Sequence, residues 1–128
     1  MSVLMVFLGG GLGSLCRYGI ALGCKSFDSQ FPYATLIANG LSCVVLGCFV
    51  ALANTDLLNS HVKLMIMTGF CGGFSTYSTF TNETYQLFEN DHYSIALLNI
   101  FGNLALCLLC IFIGLILGKT ISEVVGFK

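Results

Sequence analysis

The chain has 128 residues, 56% of them hydrophobic and only 9% charged, where a soluble domain would carry roughly a quarter charged residues. Mean hydropathy is +0.90, and four membrane-spanning helices of about 20 residues each would leave only short connections and tails, so one transmembrane domain over residues 1–128 is expected. A formal net charge of −1 with 5 Lys+Arg provides no basic field for a phosphate backbone, which excludes nucleic acid as an expected partner and leaves the lipid bilayer.

The first predicted span covers about residues 3–22. Its start, Met1-Ser2-Val3-Leu4, lacks a basic segment, so it reads as a retained span rather than a cleaved leader. Gly9-x-x-x-Gly13 and Gly19-x-x-x-Gly23 strip side chains from one helix face and permit close backbone approach, within a subunit or between subunits. Arg17 lies toward the end of this span. It either snorkels to the interface or stands in a vestibule where it attracts anions.

Lys25, Asp28, Ser29, Gln30 and Pro32 mark a turn before the second span, about 33–53. Thr35 and Asn39, four apart, share one face of it. Asn54, Thr55, Asp56, Asn59, Ser60 and His61 end it. The third span, about 62–87, is interrupted by Cys71-Gly72-Gly73-Phe74-Ser75-Thr76. Two glycines followed by two hydroxyl residues are expected to break the helix near Gly72–Thr76, freeing carbonyls that must find partners in protein, water or an ion. A packing kink is the other reading.

Beyond that point Tyr77 and Phe80 share a face, while Thr76, Thr79 and Glu83 form a second. Ring edges carry partial positive charge, so rings beside hydroxyls and an amide form a weakly electropositive corridor suited to a small anion. Glu83 is read either as a helix-end residue in water or as part of a hydroxyl track. The fourth span, about 93–118, carries Asn99 and Asn103 on one face. Interhelical hydrogen bonding alone would account for any one of these polar residues. Two helices with polar stripes favour a lined pathway.

Of the seven cysteines, Cys16, Cys43, Cys48, Cys71, Cys107 and Cys110 lie inside apolar runs and read as small hydrophobes, with Cys107-x-x-Cys110 lacking the second pair or histidines of a metal site. Lys63, Lys119 and Lys128 fall on one side of the predicted topology, and Lys25 and Arg17 on the other. So flat a bias fixes no orientation and permits insertion either way up.

The run Gly69-Phe70-Cys71-Gly72-Gly73-Phe74-Ser75-Thr76-Tyr77-Ser78-Thr79-Phe80 resembles the signature of the Fluc/CrcB fluoride channels, departing from it only at Ser75 and Tyr77. Gly9-Gly10, Gly13 and Arg17-Tyr18 are similar to the family's first-span motif, and Thr35-Leu36 with Asn39-Gly40 to its second. The resemblance implies an all-α protein of four transmembrane helices, the third broken, assembled as a dual-topology antiparallel homodimer with two fluoride pores. It implies ring edges at Tyr77 and Phe80, an amide donor at Asn39, and further pore residues at Thr79 and Asn103. Thr35, Thr76, Ser78, Glu83 and Asn99 would form the polar track, and Arg17 would lie near a pore mouth. It also implies a structural Na+ at the dimer centre, held by the backbone carbonyls of Gly72 and Ser75. Ala34, Asn99 and Asn103 stand where the family commonly has Gly, Tyr and Ser.

The expected function is therefore a passive, non-enzymatic channel in the bacterial plasma membrane, through which cytoplasmic fluoride leaves down its electrochemical gradient and its toxicity is reduced. A small dimeric cation exporter is the alternative, but it would need a membrane carboxylate, preferably in the first span, which has none. A non-transporting assembly subunit is a third reading.

Overall fold

The computed structural model describes residues 1–26, 29–53, 55 and 58–126. Of the residues used above to mark turns or charge bias, Asp28, Asn54, Asp56 and Lys128 lie outside the described residues. All regular structure among the described residues is helical: α1 (Ser2–Gly23), a 3-10 turn (Cys24–Ser26), α2 (Tyr33–Ala53), α3 (Ser60–Lys63), a π-helix (Leu64–Phe70), α4 (Cys71–Phe74), α5 (Tyr77–Glu89) and α6 (Tyr93–Val124). Three stretches are long and apolar enough to cross a membrane, Ser2–Ser26, Tyr33–Ala53 and Tyr93–Val124. Residues 60–89 are divided into shorter helices.

The molecule is apolar outside and carries amides and hydroxyls in its interior beside Ala38, Leu52, Phe74, Leu87 and Ala96. Val3, Phe7, Leu15, Phe101, Leu109, Phe112 and Ile116 are all exposed, whereas Thr35, Asn39, Ser42, Thr76, Thr84, Asn99 and Asn103 are buried. Asn99 is fully buried. Lipid takes the apolar surface at no cost, while buried amides and hydroxyls must satisfy one another. Of the cysteines, all seven of which are free, only Cys71 is buried, and Cys16 points out of the bundle.

Two glycine seams hold the helices together. A β-carbon at Gly9 would collide with the Met65 carbonyl and the Phe70 amide, one at Gly13 with the Phe70 carbonyl and the Phe74 amide, and one at Gly73 with the Gly10 carbonyl. The Gly9-x-x-x-Gly13 motif is thus spent within the subunit, on the segment that leads to Ser75–Thr76. Gly19 and Gly23 meet nothing within 4 Å. The second seam joins α2 to α6, where Gly47 faces the Ile111 carbonyl, Gly114 that of Val44 and Gly118 that of Cys48. Gly40, near the start of the seam, faces Leu106 and Cys110, while Gly118, near its end, faces Cys48 and Ala51, so α2 and α6 run parallel. Small residues let the backbones touch, which replaces the hydrophobic drive that lipid removes.

Helix ends are tied down by side chains. Asn59 caps α3 through Val62 N–H, and Lys63 Nζ donates to the Ala53 carbonyl at the end of α2 at 2.6 Å, where the helix dipole favours a cation. The α5–α6 turn holds Asp91 at φ 61°, a conformation Asp tolerates better than most residues. The Tyr93 hydroxyl donates to its carboxylate at 2.8 Å.

Candidate functional site

The site forms where α4 stops at Phe74 and α5 starts at Tyr77. Ser75 and Thr76 between them are extended, at φ −76°, ψ 158° and φ −149°, ψ 116°. Extended backbone cannot continue the helical ladder, so its polar groups need partners from elsewhere. Asn39 on α2 supplies two of them. The Thr76 amide donates to Asn39 Oδ1 at 2.8 Å, and Asn39 Nδ2 donates to the Thr76 carbonyl at 3.4 Å. Thr76 in turn caps α5, its Oγ1 accepting from the Thr79 amide at 3.1 Å and donating to Thr79 Oγ1 at 2.9 Å. Ser78 Oγ lies 3.3 Å away.

The carbonyls that α4 would otherwise leave bare are met from two sides. Arg17 Nε donates to the Gly73 carbonyl at 3.2 Å and Ser14 Oγ at 3.5 Å. The Cys71 carbonyl accepts from the Ser75 amide, from Ser75 Oγ at 2.9 Å and from Ser42 Oγ at 3.0 Å. Gly72 and Ser75 differ. The amides four residues beyond them, on Thr76 and Thr79, are taken by Asn39 Oδ1 and Thr76 Oγ1, so neither carbonyl has its usual α-helical donor. Gly72 is also exposed, with open space where a side chain would be.

From Asn39 the network crosses to α6. Asn39 Nδ2 donates to Asn103 Oδ1 at 3.1 Å, and the Cys107 thiol reaches the same oxygen at 3.6 Å. Asn103 Nδ2 is buried with no partner. Asn39, Asn103, Tyr77 and Phe80 line one cavity of about 430 Å³. The Tyr77 and Phe80 rings stand 5.7 Å apart and tilted by 45°. Tyr77 is 81% exposed.

A second cavity of about 270 Å³ is lined by Arg17, Thr35, Thr76 and Thr79, with Ser14 and Tyr18 beside them. Thr76 borders both spaces. Glu83 lies one helical stretch further on, accepting from Thr35 Oγ1 at 2.8 Å with its other oxygen buried and unpaired. It lines a third cavity of about 280 Å³ with Gln30, Gln86, Asn90 and His92.

The structure therefore gathers Asn39, Tyr77, Phe80 and Asn103 in one place, and Arg17, Thr35, Thr76 and Thr79 in an adjoining one. Asn99 borders none of these spaces; its Nδ2 donates to Thr84 Oγ1 at 2.9 Å between α5 and α6. Three participants escaped the sequence reading. Ser42 continues the Thr35–Asn39 face at i+7 and i+3, Thr84 continues the Tyr77–Phe80 face, and Ser14 lies one turn before Arg17. The same helical spacing would have found each.

An apolar shell around buried amides and hydroxyls defines a helical membrane protein. Residues 4–115 match the family described as CrcB-like protein, Camphor Resistance (CrcB), and the chain belongs to that family. It is 42% identical over 123 residues to the Fluoride-specific ion channel FluC of Dehalococcoides mccartyi, covering 94% of this chain and 95% of the relative. Proteins of the same name from Phocaeicola vulgatus and Pyrococcus furiosus are 37% and 38% identical, covering 95% and 91% of this chain and 98% and 95% of their own lengths.

Proposed function

We propose that the chain is a fluoride-selective channel, passing cytoplasmic fluoride passively down its electrochemical gradient across the bacterial plasma membrane and so limiting its toxicity. The observation that carries this reading is the 430 Å³ cavity, which combines the Asn39–Asn103 amides with the Tyr77 and Phe80 rings and has no full positive charge on its wall. Fluoride is small and tightly hydrated. Several weak donors can replace its water and still release it, where a lysine or arginine would hold it. Tyr77, Phe80, Asn39, Thr79 and Asn103 are the pore residues in this reading. Thr35, Thr76, Ser78, Glu83 and Asn99 extend the polar track, with Arg17 beside its mouth. Names of relatives at 37–42% identity over nearly the whole chain support the same function.

The working unit in this proposal is a dual-topology antiparallel homodimer with a pore on each side. Tyr77 is mostly exposed and Gly72 lies on an open surface, so a second copy would complete the wall. The third membrane segment is then the helical run 60–89, broken at Ser75–Thr76. A structural Na+ suits the Gly72 and Ser75 carbonyls, since hard cations take oxygen ligands and unwound backbone supplies them. Two carbonyls are too few for one ion, and a symmetric mate would supply the other pair.

The test is fluoride efflux from liposomes holding the purified protein, driven by a potassium gradient with valinomycin, with chloride efflux run in parallel. Fast fluoride efflux without chloride efflux, kept in the absence of a proton gradient, is expected. Absent fluoride efflux from verified dimers would overturn the reading.

A further inference from the structure

We propose that Cys43 on α2 and Cys107 on α6 form a site for a soft divalent cation of the mercury(II) class, held between two sulfurs on the wall of the 430 Å³ cavity. Binding stands on the thiol pair alone; its effect on fluoride flux rests on the channel reading. Both cysteines line the cavity, both are partly exposed, and their side chains lie within hydrogen-bonding reach of each other. The Cys107 thiol also reaches Asn103 Oδ1 at 3.6 Å. Sulfur is a soft ligand, so the pair selects soft cations over Mg2+ and Ca2+, which prefer oxygen.

The glycine seam fixes the register of the two sulfurs from both sides. Gly40 leaves room for Leu106 and for Cys110 Sγ, and Gly47 rests on the Ile111 carbonyl. Cys43 and Cys107 stand between these two contacts. The Cys107-x-x-Cys110 spacing therefore misdirects, because Cys110 packs toward Gly40 and is not on the cavity wall, while the facing thiol comes from another helix. Among the described residues no group of three or more His, Cys, Asp or Glu could hold a metal ion. Zinc, which takes four ligands, is not served, and two thiols suit a linear two-coordinate ion. Charge then decides between soft ions. Two thiols and a divalent ion give a neutral S–M–S unit and two released protons, with no change of oxidation state. A monovalent soft ion would leave one negative charge among apolar helices, which is costly. The bound ion takes the Cys107 thiol from Asn103 and occupies space in the cavity shared with Asn39 and Phe80.

The full-length protein in lipid nanodiscs is mixed with one equivalent of mercury(II) chloride per chain, alkylated with a small maleimide and mapped by mass spectrometry. Without mercury, Cys43 and Cys107 are both expected to be alkylated. With it, both are protected together while Cys24 still reacts, and zinc chloride in parallel protects neither. Cys43→Ala and Cys107→Ala are each expected to weaken mercury binding by about tenfold or more, at least the loss seen when a ligand's support is removed, and Cys110→Ala is not. In liposomes mercury is expected to stop fluoride efflux through the unsubstituted protein and through neither of the two single variants. The proposal is overturned if mercury protects one of the pair alone or a different pair, or if neither is alkylated in its absence. Joint protection with fluoride efflux undiminished would overturn the block. Joint protection in a protein that never conducts fluoride would keep the thiol site and overturn the channel reading.

Discussion

Asn39 grips Thr76 at both backbone polar groups, accepting from its amide at 2.8 Å and donating to its carbonyl at 3.4 Å. A side-chain amide here plays the part of a neighbouring strand, giving two extended residues the partners that helical backbone would have supplied. The same grip turns the Asn39 amide toward α6, so holding Ser75–Thr76 in place and fixing the direction of the Asn39–Asn103 hydrogen bond are one act.

Arg17 fastens the other side of the gap through the Gly73 carbonyl. Arg17→Gln removes a charge-assisted bond of the kind that contributes about 1.5–3 kcal/mol. A lower unfolding temperature of the detergent-solubilised protein is the expected result, with Arg17→Lys intermediate. An unchanged temperature for both would show that the contact does not stabilise the fold.

The glycine seams separate two kinds of glycine. Gly114→Ala drives a methyl group into the Val44 carbonyl, which is backbone and cannot swing aside; overpacking of this kind costs about 1–3 kcal/mol. Gly19→Ala meets nothing within 4 Å and gains up to about 1 kcal/mol of helix propensity. Thermal unfolding of the two variants in detergent is expected to move in opposite directions.

Thr35 is the donor that reaches Glu83, whose second oxygen is already unpaired. Thr35→Val leaves the carboxyl group with neither oxygen bonded and costs about 1–3 kcal/mol, whereas Thr35→Ser restores the donor. Denaturant titration of both variants checks this, and equal stability would remove the contact from the account.

If ring edges line the path, Phe80→Ile abolishes a partially positive edge and is expected to suppress fluoride efflux while leaving the protein folded. Tyr77→Phe keeps the edge and is expected to conduct. Comparable efflux from Phe80→Ile and unsubstituted protein, each reconstituted in liposomes, would exclude Phe80 from conduction.

Much of this was legible in the chain because polar residues in apolar runs are few and helical spacing sorts them. The shared face of Thr35 and Asn39, and that of Asn99 and Asn103, emerge from spacing alone, as does the proximity of Tyr77 and Phe80. Spacing does not say which stripe meets which. Asn103 faces Asn39, but Asn99, one turn away, turns to Thr84 because α5 leans against α6 there. Nor does residue type reveal direction: Asn39 reads as a donor, yet its orientation is decided by the Thr76 amide. The π-helix has no sequence signature, since apolar Leu64–Phe70 suits an α-helix equally well; in the structure the wider turn lies where this run packs on Gly9 and Gly13 of α1.

That wider turn makes the count of residues before Cys71 equivalent to an angle. Gly9 rests over Met65 and Phe70, five residues apart, and Gly13 over Phe70 and Phe74, four apart; the Cys71 amide likewise bonds back to Ile66. A turn closed over five residues holds one more than a turn closed over four. Removing one residue between positions 64 and 70 while the upstream contacts stayed fixed would rotate everything beyond by about 100°. The Gly73 carbonyl would swing from Arg17 and the Cys71 carbonyl from Ser42. The length of this short run therefore acts as an azimuthal setting for the whole downstream site, and an insertion or deletion there would disorganise residues it never touches.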